Sequence, residues 1–391
     1  MNRVARSFLL SLLIALVAAG GVLAPAAARA EDIWENVERI VAIGDVHGDY
    51  EQFVTLLRQS GLIDDNEDWV GGATHLVQTG DVPDRGPDTR KVMDLLMKLE
   101  RQARRSKGYV HALIGNHEAM NVYGDLRYLH PGEYAAFQTR NSERVRDAAY
   151  EQAVREIKET KPREQWPDFE GGYRAVWEKE HPLGYFEQRQ AFGPNGKYGR
   201  WIIDHNVVIK INGILFLHGG IGPKYVNLSV RAINDQAREE FRDFEKLRAG
   251  LVTDPEGPLW YRGLASNGED VEQPHLEALL ASYGASRIVI GHTPTAGTVL
   301  PRFGGRVLMI DVGLGAAYGR RQACLLIEKD QFYTLHRGQK LSLPTDSGPA
   351  LLDYLKKAAA LDPQPSPLNS LITSLHLGVG AQRAAPATLA Q

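Results

Sequence analysis

Arg39-Ile40-Val41-Ala42-Ile43-Gly44-Asp45-Val46-His47-Gly48-Asp49 runs from an unbroken apolar stretch straight into glycine, carboxylate and imidazole. A short apolar run stopped by glycine reads as a buried strand, and the polar residues after it read as the loop at its end. The theme recurs along the chain. His75-Leu76-Val77-Gln78-Thr79 precedes Gly80-Asp81-Val82-Pro83-Asp84-Arg85-Gly86, and Tyr109-Val110-His111-Ala112-Leu113-Ile114 precedes Gly115-Asn116-His117-Glu118. Ile214-Leu215-Phe216-Leu217 precedes His218-Gly219-Gly220, and Arg287-Ile288-Val289-Ile290 precedes Gly291-His292. Strands that end along one edge of an α/β sheet gather the loops that follow them, so these polar residues are expected to meet in space.

Working outward, helices are expected between the strands. Residues 50–60 carry Phe53, Leu56 and Leu57 and stop at Gly61, while residues 88–105 carry Val92, Leu95, Leu96 and Leu99 at helical spacing. Residues 121–200 form a long insertion with a mixed-charge helical stretch over 140–161 and the aromatics Trp166, Tyr173, Trp177, Tyr185 and Phe186. Such a segment reads as a solvated helical cap or as a substrate-selecting lid. Beyond Leu343 the chain becomes rich in Pro, Ala and Ser, so residues 346–391 read as a tail with one helix near 350–360 and disorder from about Pro363. No internal repeat is seen.

With 391 residues, 43% hydrophobic and 24% charged, the chain has ordinary globular composition and enough apolar side chains for a large core. Its first residues combine Arg3 and Arg6, an apolar run from Phe8 to Val17, and small residues ending Ala28-Arg29-Ala30. That is the layout of a secretory signal peptide over 1–30, which leaves a domain over 31–345 and predicts a secreted protein, periplasmic in a Gram-negative cell, with no stable membrane insertion after cleavage. Losing Arg3, Arg6 and Arg29 moves the formal charge from −3 down by three to −6, so no global basic field is available for nucleic acid. The only cysteine, Cys324, lies in the apolar run Ala323-Cys324-Leu325-Leu326-Ile327 and reads as a core thiol. Disulfides within the chain are therefore excluded.

Carboxylate, imidazole and amide oxygen suit borderline divalent cations, and one aspartate can bridge two of them. Taken together, the five strand-end motifs read as a dinuclear metal site. His75, His111 and His205 are expected to be core or surface residues instead.

The motifs GDxHG, GDxxDRG and GNHE, present here as Gly44 to Gly48, Gly80 to Gly86 and Gly115 to Glu118, resemble those of the metallophosphoesterases and, within them, the phosphoprotein phosphatase superfamily. Gly115-Asn116-His117-Glu118-Ala119-Met120-Asn121 running into Gly124-Asp125-Leu126-Arg127-Tyr128 narrows the resemblance to the Shewanella-like protein phosphatases. Leu217-His218-Gly219-Gly220-Ile221, Leu259-Trp260-Tyr261-Arg262 and Gly291-His292-Thr293-Pro294 agree with it, over about residues 38–315. The resemblance implies an α/β fold, a four-layer α/β/β/α sandwich with a helical insertion. It also implies two divalent metal ions, manganese first, with iron, zinc or magnesium also compatible with mixed N/O donors. Asp45 and His47 would hold one ion, Asp81 would bridge, and Asn116, His218 and His292 would hold the other, with a shared hydroxide as nucleophile. His117 would protonate the leaving group, Asp84 would orient that imidazole, Arg85 and Arg262 would clamp the phosphoryl oxygens, and Glu118 would anchor its loop.

The implied activity is phosphomonoester hydrolysis on a phosphorylated protein. A phosphatase of small phosphorylated metabolites or nucleotides is the alternative, and a closed rather than open pocket would distinguish it. A non-catalytic metal- or phosphate-binding envelope module is expected to lack at least one of Asp84, Arg85 and His117, and all three are present. The Ser-Ala-Pro-Asn-Tyr signature of the eukaryotic branch has no match, and Ile310-Asp311-Val312-Gly313 lies roughly where it would fall. The preference between phosphotyrosine and phosphoserine or phosphothreonine therefore stays open at the level of sequence.

Overall fold

The computed structural model describes residues 31–345 and 348–377; the export signal read in residues 1–30 and the chain end from 378 lie outside them. In chain order the strands are β1 (Ile33–Trp34), β2 (Arg39–Ile43), β3 (His75–Gln78), β4 (Tyr109–Ala112), β5 (Val208–Ile211) and β6 (Ile214–Leu217). They continue as β7 (Arg287–Ile290), β8 (Leu300–Arg302), β9 (Val307–Met309), β10 (Ala323–Glu328), β11 (Gln331–His336) and β12 (Gln339–Ser342). Two six-stranded sheets result, in the orders β12-β11-β10-β2-β3-β4 and β1-β5-β6-β7-β9-β8. Within them β2, β3 and β4 run parallel, and so do β6, β7 and β9.

The pleat explains the layering. Along β2, Ile40 and Ala42 point into a core shared with Phe216 of β6, Val289 of β7 and Leu325 of β10, while Val41 and Ile43 pack into a second core that includes helix residues. β6 alternates in the same way, with Ile214 and Phe216 facing the partner sheet and Leu215 and Leu217 facing away. Continuous apolar strands such as Arg39–Ile43 are what a sheet buried on both faces requires. Helices Tyr50–Gln59 and Thr89–Arg105 contribute Phe53, Leu56, Val92 and Leu96 to the outer core, and helices Val230–Arg242 and Glu269–Tyr283 contribute Ile233 and Leu276. The four-layer α/β/β/α sandwich is thus present.

The insertion is helical, as expected, with helices Pro131–Phe137, Ser142–Thr160, Tyr173–Glu180, Tyr185–Phe192 and Lys197–Asp204. Its inner part joins the core through Phe137, Phe192 and Tyr198. By contrast, the long helix Ser142–Thr160 buries only Ser142 and Tyr150 and is otherwise a solvated face. Cys324 is fully buried on β10, and burial pushes its thiol up to about 12.

The chain end departs from expectation. Helix Pro349–Leu361 fits the helix read near 350–360, but the disorder expected from about Pro363 gives way to a further helix, Asn369–His376. Leu368 and Leu371 pack with Leu351, Tyr354 and Leu355 into a separate small core, which supplies the apolar burial that composition alone did not reveal. No helix among the described residues is long and apolar enough to cross a membrane.

Candidate active site

The loops that leave β2, β3 and β4 in one sheet and β6, β7 and β9 in the other converge. Asp45 and His47 follow β2; Asp81, Asp84 and Arg85 follow β3; Asn116 and His117 open the helix Asn116–Tyr123 after β4; His218 follows β6 and His292 follows β7. Every one of these is buried except Arg85, which is half-buried.

His218 shows most directly what they gather around. Its Nδ1 donates to the Thr79 carbonyl at 2.9 Å. That contact leaves Nε2 facing Asn116 Oδ1 at 2.9 Å, His292 Nδ1 at 3.1 Å and Asp81 Oδ2 at 3.3 Å. His47 repeats the arrangement: Nδ1 donates to the Pro83 carbonyl at 3.1 Å, and Nε2 lies 3.9 Å from both Asp45 Oδ2 and Asp81 Oδ2. Oxygens and ring nitrogens crowded together in so buried a place are electrostatically costly, and a cation among them relieves that cost. His292 Nε2, buried and without a hydrogen-bond partner among the described residues, belongs to the same constellation. The donor set of imidazole nitrogen, carboxylate oxygen and amide oxygen therefore fits divalent metal ions, with Asp81 common to the groups Asp81–His218–His292 and His47–Asp81–His117.

Holding so many loops together strains the backbone. His47, Asp81, Asp84, Arg85 and His292 all adopt left-handed φ values between 48° and 71°, a conformation that costs roughly 1–3 kcal/mol for a non-glycine residue and clusters at functional sites. The motif glycines answer a different need. Gly80, at φ 94°, passes so close to the next loop that a Cβ on it would stand 2.4 Å from the Gly115 nitrogen. Glu118 ties the same two loops, accepting from the backbone N–H groups of Val82 at 2.7 Å and of Asp81 and Gly115 at 2.8 Å.

A family model of the calcineurin-like phosphoesterases matches residues 38–296. The chain belongs to this family. As a calcineurin-like phosphoesterase it is a metal-dependent hydrolase of phosphate esters. It is 32% identical to an uncharacterised Schizosaccharomyces pombe protein, over 74% of this chain and 77% of that one. To Shewanella-like protein phosphatase 2 of Arabidopsis thaliana it is 28% identical over 72% of each. The cold-active protein-tyrosine phosphatase of a psychrophilic Shewanella species is similar in structure, with a TM-score of 0.62 and 28% identity, over 81% of this chain and 83% of that one.

In this phosphoesterase the electrostatics follow from burial and crowding. Burial, then the charges of Asp311 and Asp81, raises the Asp45 carboxyl well above its usual range. Burial also works on Asp81, but the imidazoles of His218 and His117 overcome it and hold that carboxyl well below its usual range. Burial and the neighbouring His117 lower His47 to about 3, and burial with His218 holds His292 well down. His117 goes the other way: despite burial, Asp81 and Asp84 raise it. Its Nδ1 stands 2.5 Å from Asp84 Oδ2 and its Nε2 3.7 Å from Asp81 Oδ2.

The two arginines differ. Arg85 makes no ion pair among the described residues, lays its guanidinium 4.5 Å over Tyr128 and 5.5 Å from Tyr318, and keeps Nε without a hydrogen-bond partner. Arg262 is more exposed and is drawn to the rim, donating to the His292 carbonyl at 2.8 Å and Thr293 Oγ1 at 2.9 Å.

Sequence reasoning missed several neighbours of the phosphoesterase site. Asp311 follows β9, accepts from the Gly313 N–H at 3.0 Å and is lifted to about 6 chiefly by burial. Its signal was available, since the apolar run Val307 to Ile310 leads into an acid, as the runs before Asp45 and Asp81 do across a glycine. Tyr318 stacks on His47 at 5.2 Å and Tyr128 tilts against His117 at 5.2 Å. Tyr128 lay inside a quoted motif, whereas nothing local marked Tyr318.

Proposed function

We propose that this phosphoesterase is an exported protein phosphatase that cleaves phosphomonoesters, with phosphotyrosine as its preferred side chain. The observation that carries the reading is the His117–Asp84 pair at 2.5 Å beside the converging donors of Asp45, His47, Asp81, Asn116, His218 and His292. Two divalent ions held by those donors, manganese first, would supply Lewis acidity that makes water nucleophilic near neutral pH and neutralises charge on the phosphoryl oxygens.

The chain's own residues do the rest. Arg85, whose Nε has no hydrogen-bond partner among the described residues, grips phosphoryl oxygens through its fork of N–H donors, and Arg262 adds a second contact from the rim. Asp84 keeps one proton of His117 on Nδ1, so the other is delivered from Nε2 to the departing ester oxygen as the P–O bond breaks. Tyr128 and Tyr318, both beside Arg85, offer aromatic faces to an aryl leaving group. The names of the Arabidopsis and Shewanella relatives support a phosphoprotein substrate. Export rests on the charged, apolar and small-residue segments of residues 1–30.

The test is His117→Asn, assayed on an activated aryl phosphate and on an alkyl phosphate. The alkyl ester, whose leaving oxygen needs the proton, should lose far more turnover; an equal loss on both would end the general-acid assignment. A panel of phosphopeptides and nucleotides, run with each metal in turn, checks substrate class and ion together.

A further inference from the structure

The insertion reaches beneath the active site. Gln188, fully buried on helix Tyr185–Phe192, donates through Nε2 to Asn121 Oδ1 at 2.8 Å. Asn121 in turn donates through Nδ2 to Asp84 Oδ1 at 2.9 Å and to the His117 carbonyl at 3.0 Å. Those two acceptors use both hydrogens of the amide, which leaves Oδ1 as the only group Gln188 can meet. Asp84 Oδ2 then faces His117 Nδ1 at 2.5 Å. A second strut from the insertion meets the same aspartate, because Glu133 Oε1 accepts the Asp84 backbone N–H at 3.0 Å.

We infer that Gln188 is a positioning residue for phosphoester cleavage. Through Asn121 it locks the rotation of the Asp84 carboxylate, and through Asp84 it holds the His117 ring where Nε2 meets the leaving oxygen. The inference rests on the role proposed for His117 and goes beyond it: the insertion acts from below as part of the proton-delivering apparatus, whatever its outer helices do. A carboxylate pinned on one oxygen can present only the other, and a buried amide that loses its partner is free to rotate to another hydrogen bond. Gln188 adds the contact that ties down the remaining end of that amide, from outside the strand-end motifs.

The experiment compares the wild-type chain, Gln188→Met and Gln188→Leu on a dinitrophenyl and an unsubstituted phenyl phosphate. Both substitutions stay close to the volume of the glutamine side chain, and neither can donate to Asn121 Oδ1. Each variant is expected to lose roughly tenfold in kcat on the phenyl ester, with little change on the dinitrophenyl ester and an unaltered KM. Because the readout is a ratio of two substrates within one sample, a reduced folded fraction cancels. Proton NMR supplies a readout without turnover: the downfield Nδ1–H signal of His117, identified by its loss in His117→Asn, should move in both Gln188 variants. An equal fall on both esters, a rise in KM alone, or an unmoved signal overturns the inference. If His117→Asn itself shows no leaving-group split, the general-acid reading fails; if it does and the Gln188 variants do not, only the role of Gln188 fails.

Discussion

Asp84 accepts from Asn121 with one carboxylate oxygen, at 2.9 Å, and faces His117 Nδ1 with the other, at 2.5 Å. The two contacts set a direction of proton flow that an amide cannot copy. In Asp84→Asn the carbonyl would stay with Asn121, and the NH2 would then point at Nδ1 and demand its lone pair. The imidazole would be left neutral, a far weaker acid at Nε2, and without its counter-charge. On an alkyl phosphate kcat is expected to fall about 10²–10⁴-fold with KM nearly unchanged. Steady-state kinetics decide it, and a fall of less than about threefold would remove Asp84 from the proton path.

Metal loading should appear as stability. Asp45, Asp81 and Asp311 are buried together, and their mutual repulsion contributes to the raised Asp45 carboxyl. A cation bound there relieves that repulsion and adds the binding linkage, about 2.7 kcal/mol when the ion is at 100 times its Kd. The melting temperature of chelator-treated protein is therefore expected to rise when manganese is added. Asp81→Asn should lose most of that rise, since Asp81 belongs to both candidate ligand groups. Thermal melts with and without the ion check this, and a variant that responds as fully as wild type would refute the bridging role.

The strands and site loops were legible because their signals are local. In β2 the side chains that reach each core are neighbours in sequence, and Gly44 directly precedes Asp45. Gln188 was invisible for the opposite reason. It meets Asn121 across 67 positions, through the packing of two helices, and nothing in Tyr185–Phe192 distinguishes one glutamine from another. Asp311 and Tyr318 likewise reach the site by tertiary folding. At the chain end composition misled: Pro363, Pro365 and Pro367 lie between two helices whose leucines pack together, so proline marks a turn there rather than an unfolded tail.

That chain end carries a prediction of its own. The hydroxyl of Tyr354, on helix Pro349–Leu361, donates to the Val299 carbonyl at 2.8 Å and lies 2.8 Å from Thr298 Oγ1 and 2.7 Å from Thr334 Oγ1. All three side chains are buried. Tyr354→Phe removes one oxygen and strands its partners, so a loss of about 1–3 kcal/mol is expected. Urea denaturation measures it. A variant as stable as wild type would mean that this helix only rests on the sheet.

A pH dependence follows from His205, which the sequence placed among ordinary core or surface histidines. Its Nε2 lies 2.7 Å from Glu100 Oε1, and its Nδ1 is held by the Trp201 carbonyl. Burial would lower the imidazole, but the hydrogen bond and charge of Glu100 raise it above its usual 6.5. A folded-state value above the unfolded one means that the charged ring stabilises the fold. That contribution is complete below the unfolded pKa and is lost as pH climbs through the folded one. The stability difference between wild type and His205→Gln should therefore be largest near about pH 6 and shrink toward about pH 9. Taking the difference removes the other groups that titrate in the same window, including those at the active site. Denaturant midpoints at the two pH values give the answer. If the difference stays constant or widens with pH, Glu100 does not hold a charged His205, and the pair is a neutral hydrogen bond whose strength pH does not touch.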